Sequence, residues 1–432
     1  MRARRIEQKS DSSVQPGFGR AWSQTCRMLV FAIVTGGTKS LDMVRSMEAS
    51  ESRPGEALEA AKRQWQAGDF AEAAAAFEAL CQTNPTESDA WLALAYLRAY
   101  ENRAAEGAIL FRKGVELRPD YRGESIVRMT PSYVQLETVR TCNAACVMCP
   151  LEDSHVQRRA LSDDLFFRIA DQLIAMRPRP RVAMHGLNEP LMDKKLARRL
   201  AYLKNGGIET VSVVSNASLM TEKMAEALID AGLSDISFSI ESIDQKTFEA
   251  IRVGLKLSDV LDGVAAFVGV RERLSAPVPV KIMCVYSEKT RDQYKDFRAY
   301  WQSQLKRPDD KIILEPIHSY GHFDLCNEDD VGPCFQPFNT MQIRADGLVS
   351  LCTIDVDTEY EVGDVRKQSL LDIFNGDQFR LARYKHLTGN RDSIDICKRC
   401  DAPESLTKTF SDSLVGAPPQ LNGKYFVRAS RT

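Results

Sequence analysis

The stretch TCNAACVMCP, residues 141–150, sets Cys142, Cys146 and Cys149 three and two residues apart. A cube of four irons and four sulfides takes one outside ligand per iron, so three thiolates on one loop hold three irons and leave the fourth open. The same cysteines also suit three corners of a structural zinc site, or could lie buried as free thiols. Residues 133–139, YVQLETV, form a β-branched and apolar run that predicts a strand, and residues 161–176 carry the apolar period of a helix. Strand, ligand loop, helix is the order at the C-terminal end of a β/α barrel's first strand, the end where such barrels build active sites.

The alternation continues. Residues 181–185, 210–215, 235–240, 278–286 and 311–317 predict five further strands. Six β/α units make a partial (β/α)6 TIM-type barrel, open on one side. Polar groups at strand ends point into the mouth of a barrel, which nominates Ser215, Asn216, Ser239 and Glu241. Strand ends are also polar simply to cap the next helix, and both readings stand. Cys284, in the fifth strand, either faces the lumen, where it could donate a hydrogen atom, or is buried outward and inert. The sixth strand leads to His318, His322 and Cys326, of which the histidines read as loop or core residues.

The C-x3-C-x2-C loop resembles the signature of the radical S-adenosylmethionine (SAM) superfamily. The resemblance implies that SAM chelates the open iron and is split reductively to a 5′-deoxyadenosyl radical, which abstracts a substrate hydrogen atom. Met148 stands where that family usually has an aromatic residue, and a polarizable thioether can pack on adenine. HGLNEP, residues 185–190, resembles the family's Gly-Gly-Glu-Pro motif, whose glutamate and backbone hold the SAM amino group. Glu189 and Pro190 match, Leu187 and Asn188 replace the glycine pair, and Gly186 sits one residue early. The resemblance thus implies cofactor contacts for Met148, Gly186, Asn188 and Glu189, and makes Ser215, Asn216 and Ser239 candidates for SAM ribose or substrate. Arg252 falls where the family commonly has an arginine after the fourth strand, to bind a carboxylate or to form a surface ion pair.

A second group follows: Cys334, then Cys352 after a hairpin around Asp346-Gly347, then Cys397 and Cys400 as C-x2-C, with helices expected over 369–376 and 378–387. Four thiolates saturate a cube and suit electron transfer, while a zinc ribbon is the competing reading. The pieces DGLVSLC, VGDV, LLDIFNGDQF and ICKRC resemble, in that order, the twitch domain, the single-cluster relative of the SPASM extension. Together the two resemblances imply two [4Fe-4S] clusters, one with three cysteine ligands and one with four.

Upstream, Phe77 and Phe111, Pro85 and Pro119, Leu58 and Leu92, and Ala73 and Gly107 are each 34 residues apart, the period of the tetratricopeptide repeat. Such repeats bind a protein partner or cap the barrel. The expected organisation is an unassigned segment 1–50, repeats 51–122, core barrel 130–325, auxiliary cluster domain 326–405 and tail 406–432. A net charge of −2 argues against nucleic acid. Eleven cysteines, seven of them in ligand-like groups, point to a reducing cytoplasm, and the apolar run at 28–35 is too short to span a membrane.

The expected activity is a radical SAM oxidoreductase, nearest to twitch-type dehydrogenases that oxidise a secondary alcohol of a sugar or aminocyclitol, with flavodoxin or ferredoxin as donor. In that reading Cys284, Cys326, Glu241 and Arg252 are the candidates for proton, hydrogen-atom or substrate chemistry. Epimerisation with a cysteine hydrogen donor, peptide maturation, and a zinc-binding repeat scaffold without catalysis are the alternatives.

Overall fold

The computed structural model describes residues 54–152, 154–316, 332–400 and 410–413. The segment before residue 54, His318, His322, Cys326 and nearly all of the expected tail lie outside the described residues.

Among the described residues the first four helices, α1 (Pro54–Ala67), α2 (Phe70–Thr83), α3 (Ser88–Tyr100) and α4 (Ala104–Leu117), form the two repeat hairpins. Small residues let their axes close: a Cβ on Gly107 would stand 2.6 Å from the Ala95 carbonyl oxygen. Every residue of α3 from Ala90 to Tyr100 is buried, because α3 is covered on a second side by the cysteine-rich C-terminal segment. Asn339 Nδ2 donates to the Tyr100 carbonyl at 2.9 Å, Tyr96 meets Phe338, and Phe111 meets Tyr384 edge-on. The repeats therefore pack against the cysteine-rich C-terminal segment, where the expectation placed a cap on the barrel.

Among the described residues twelve strands follow: β1 (Tyr133–Leu136), β2 (Ala145–Cys146), β3 (Arg181–Ala183), β4 (Val211–Ser215), β5 (Asp235–Ser239), β6 (Arg252–Val253), β7 (Val280–Tyr286), β8 (Lys311–Pro316), β9 (Thr340–Ile343), β10 (Leu348–Ser350), β11 (Glu361–Asp364) and β12 (Phe410–Ser413). Six of them, β1-β3-β4-β5-β7-β8, lie side by side in chain order and all parallel, which is the partial (β/α)6 barrel. Parallel neighbours need crossovers, and helices supply them. Three of these helices start where a polar side chain takes an otherwise orphaned N–H: Ser162 accepts from Leu165 N, Thr221 from Met224 N and Asp244 from Thr247 N. Because Thr221 and Asp244 do the capping after β4 and β5, Ser215, Asn216 and Ser239 are left for the barrel mouth.

The auxiliary segment is not a separate small sheet. β9 pairs in parallel with β1, and β10 and β11 follow antiparallel, so the hairpin prolongs the barrel sheet beyond its first strand. Gly347, at φ +87°, makes the hairpin turn. β12 covers the opposite edge, antiparallel to β8. No helix among the described residues is long and apolar enough to cross a membrane.

Candidate active site and auxiliary thiol site

The cysteine loop leaves β1 and is pinned by the two-residue ladder of β2 and β6, with Ala145 opposite Val253 and Cys146 opposite Arg252. This register brings the Arg252 Nη1 to 3.4 Å from the Cys146 sulfur. The same guanidinium donates to both Glu241 oxygens, at 2.7 and 2.5 Å, and so forms a buried fork with a carboxylate. Arg252 is thus neither free nor in a surface salt bridge. It holds the loop, and Glu241 backs it from behind.

Cys142, Cys146 and Cys149 face a cavity of about 200 Å³. Met148, Gly186, Asn188, Glu189, Ser215, Asn216, Ser239 and Arg252, all singled out from sequence, share that cavity, which His185, Met283, Val285 and Glu315 complete. Glu189 is 1% exposed, and its carboxylate accepts from Leu191 N, Ser215 Oγ and Asn216 N at 3.0, 2.8 and 2.7 Å. Burial raises its pKa while these three donors oppose the rise. Glu189 therefore ties the 185–190 loop to the end of β4, beyond any contact it makes with a ligand. Asn188 accepts from Gly186 N at 2.7 Å, leaving its Nδ2 buried without a partner among the described residues, as is His185 Nδ1. Burial pushes His185 down to about 4, so the ring is neutral. A Cβ on Gly186 would lie 2.9 Å from Glu137 Oε2, which explains why glycine occupies that place.

Two placements correct the sequence expectation. β7 buries alternate residues, and Met283 and Val285 line the cavity, so Cys284 points the other way, 1% exposed, with its thiol 3.7 Å from the Glu241 carbonyl. It cannot hand a hydrogen atom to anything in the cavity. Glu241 also lies outside the lining and reaches the site only through Arg252. The residue sequence reasoning missed is Glu315, at the end of β8, which faces the cavity with its pKa raised by burial to about 6. The available signal was a single carboxylate in the otherwise apolar run IILEP.

Cys334, Cys352, Cys397 and Cys400 line a second, smaller cavity of about 20 Å³ with His386 and Arg391. Among the described residues no three His, Cys, Asp or Glu side chains converge as one metal ion would require. Each cysteine set instead lines a void. Three soft thiol donors beside unspent polar atoms suit an iron–sulfur cube with a polar ligand on its open iron, and a set of four soft thiol donors suits a saturated cube. Burial raises these thiols, Cys142 to about 11 and Cys334 to about 12, so they release protons when metal binds.

Residues 136–285 match the radical SAM superfamily, residues 334–401 an iron–sulfur cluster-binding domain of the SPASM type, and residues 54–97 a tetratricopeptide repeat. GTP 3′,8-cyclase of Marinobacter nauticus is 30% identical over 139 residues, which are 32% of this chain and 41% of that protein. A probable GTP 3′,8-cyclase of Sulfolobus acidocaldarius is 28% identical over 190 residues, 44% and 56% of the two chains. The chain thus spans less than two thirds of these curated relatives. Among solved structures, BtrN in complex with AdoMet and 2-DOIA superposes with a TM-score of 0.47 at 20% identity, covering 64% of this chain and 94% of that one. Streptococcus suis SuiB gives 0.47 at 13% identity, covering 74% and 87%. Along the chain a tetratricopeptide repeat, a radical SAM domain and a SPASM-type iron–sulfur cluster-binding domain thus follow one another.

Proposed function

We propose that the protein is a radical SAM oxidoreductase that oxidises a hydroxylated small molecule, such as a sugar or aminocyclitol, in the manner of a dehydrogenase. When bound, the cofactors supply a 5′-deoxyadenosyl radical at the three-cysteine site and an electron acceptor at the four-cysteine site. The chain supplies the rest. Cys142, Cys146 and Cys149 hold one cluster, Cys334, Cys352, Cys397 and Cys400 the other, and Asn188, Ser215, Asn216 and Ser239 offer polar atoms to SAM and substrate. Oxidising a secondary alcohol removes a hydrogen atom, an electron and a proton, so the cavity needs a proton acceptor. The observation that carries this reading is Glu315: a carboxylate in the cavity for which no hydrogen bond or ion pair is described, in contrast to Glu189 and Arg252, which are engaged.

The activity in the curated relatives' names, cyclisation of GTP, fits this cavity less well. A triphosphate calls for several cations, and Arg252, the one arginine or lysine lining the cavity among the described residues, is already paired with Glu241. Epimerisation loses one of its two candidate donors with Cys284, which faces away. A zinc scaffold has no use for SAM-family motifs that converge on one cavity.

The test is anaerobic incubation with SAM, reductant and a panel of deuterated cyclitols and sugars. The proposal predicts 5′-deoxyadenosine carrying substrate deuterium and a ketone product. A product that keeps its oxidation state would contradict it. Glu315→Gln should lower product formation by roughly 10²–10⁴-fold.

A further inference from the structure

His386 lies on helix α5 (Asp377–Leu387), 1% exposed, and both its ring nitrogens are engaged. The Cys334 backbone N–H donates to Nδ1 at 3.1 Å, and Nε2 stands 3.5 Å from the Cys397 sulfur. These two contacts fix the tautomer. An Nδ1 that accepts a hydrogen bond carries no proton, so the single proton of the neutral ring sits on Nε2 and points at Cys397. The outer side of the same helix is clamped by the repeats, with Tyr384 against Phe111 and Tyr121. Arg391 closes the other side by donating to the Cys397 and Cys400 carbonyls. The imidazole is therefore held in one orientation by the Cys334 backbone N–H on one side and the Cys397 sulfur on the other.

We propose that His386 is a positioning residue that tunes the auxiliary cluster, donating its Nε2 proton to the Cys397 thiolate while fastening the Cys334 backbone to the same ring. This rests on the reading that Cys334, Cys352, Cys397 and Cys400 hold an iron–sulfur cluster. A hydrogen bond to a ligating sulfur favours the cluster state with more negative charge, so it raises the reduction potential and makes the cluster a better electron acceptor. That direction suits an oxidative reaction.

The experiment uses the full chain carrying Cys142→Ala, Cys146→Ala and Cys149→Ala, reconstituted anaerobically so that only the auxiliary site can bind iron. The midpoint potential is read by redox titration with paramagnetic resonance, and the exchangeable proton by electron–nuclear double resonance after transfer to D2O. With His386 in place a coupling from an exchangeable proton is expected. His386→Leu should abolish that coupling and lower the potential, while His386→Gln, whose amide keeps a donor near Cys397, should stay near the parent in both. A leucine variant with about four irons and an unchanged potential overturns the proposal. If leucine loses the iron, the glutamine variant decides: retained coupling and potential support the proposal, a lowered potential overturns it. Loss of iron from both variants also overturns it, since His386 would then be a ligand or a prop. Zinc in place of iron in the parent would instead refute the cluster reading itself.

Discussion

Arg252 has one guanidinium and two partners of different kinds, the Glu241 carboxylate and the Cys146 sulfur. Removing one member of a buried pair leaves the other charge uncompensated, which costs about 3–5 kcal/mol. Arg252→Leu should therefore destabilise the fold by that amount in chemical denaturation and reduce iron bound at the first site, whereas Arg252→Leu with Glu241→Leu should recover part of the stability. Glu315 has no hydrogen-bond or ion-pair partner among the described residues. With its pKa raised to about 6, it accepts a proton only when ionised, so product formation should rise with pH through about 6 and lose that limb in Glu315→Gln. A pH profile that is the same in both would remove Glu315 as the proton acceptor. At this scale the legible residues were those with motifs: the cysteines by spacing, and Glu189 by its Glu-Pro context. Glu315 and His386 carry no local signature, because each is defined by a cavity formed from segments far apart in the chain.

The strands and crossover helices of the barrel were readable because period-2 and period-3.6 patterns survive in sequence, and the observed strands start and end within two or three residues of the expected ones. The ladder of β2 and β6 was not readable, since two residues have no period. The side on which Cys284 lies was undecidable for a related reason: alternation gives two faces but not which one is inward. The 185–190 turn shows how tightly such an element can be built. Gly186→Ala would push a methyl group to 2.9 Å from Glu137 Oε2, and overpacking of this kind costs about 1–3 kcal/mol. The expected result is weaker SAM binding by calorimetry on the iron-loaded protein, with little change at the auxiliary site. Unchanged affinity would show that the turn relaxes freely.

At the scale of the molecule, the sequence suggested three modules in a row, and the structure ties them together. β9 extends the barrel sheet, the repeats pack on α5, and Arg140 spans the joint by donating to Glu137, Ser154 and the Val356 carbonyl. Such long-range pairings follow from burial of whole faces and leave no periodic trace. Arg140→Met should strand the buried Glu137 and loosen the first cluster loop and the auxiliary segment together, seen as concerted loss of iron from both sites on mild heating. Loss from one site alone would show that the joint does not couple them.

The most direct test of the whole account is iron and sulfide content with paramagnetic resonance on anaerobically reconstituted protein, with and without SAM, for wild type and for the Cys142→Ala, Cys146→Ala, Cys149→Ala variant. Two clusters predict about eight irons falling to about four, with a SAM-dependent change of signal that the variant loses. Zinc without iron, or a signal indifferent to SAM, would contradict it.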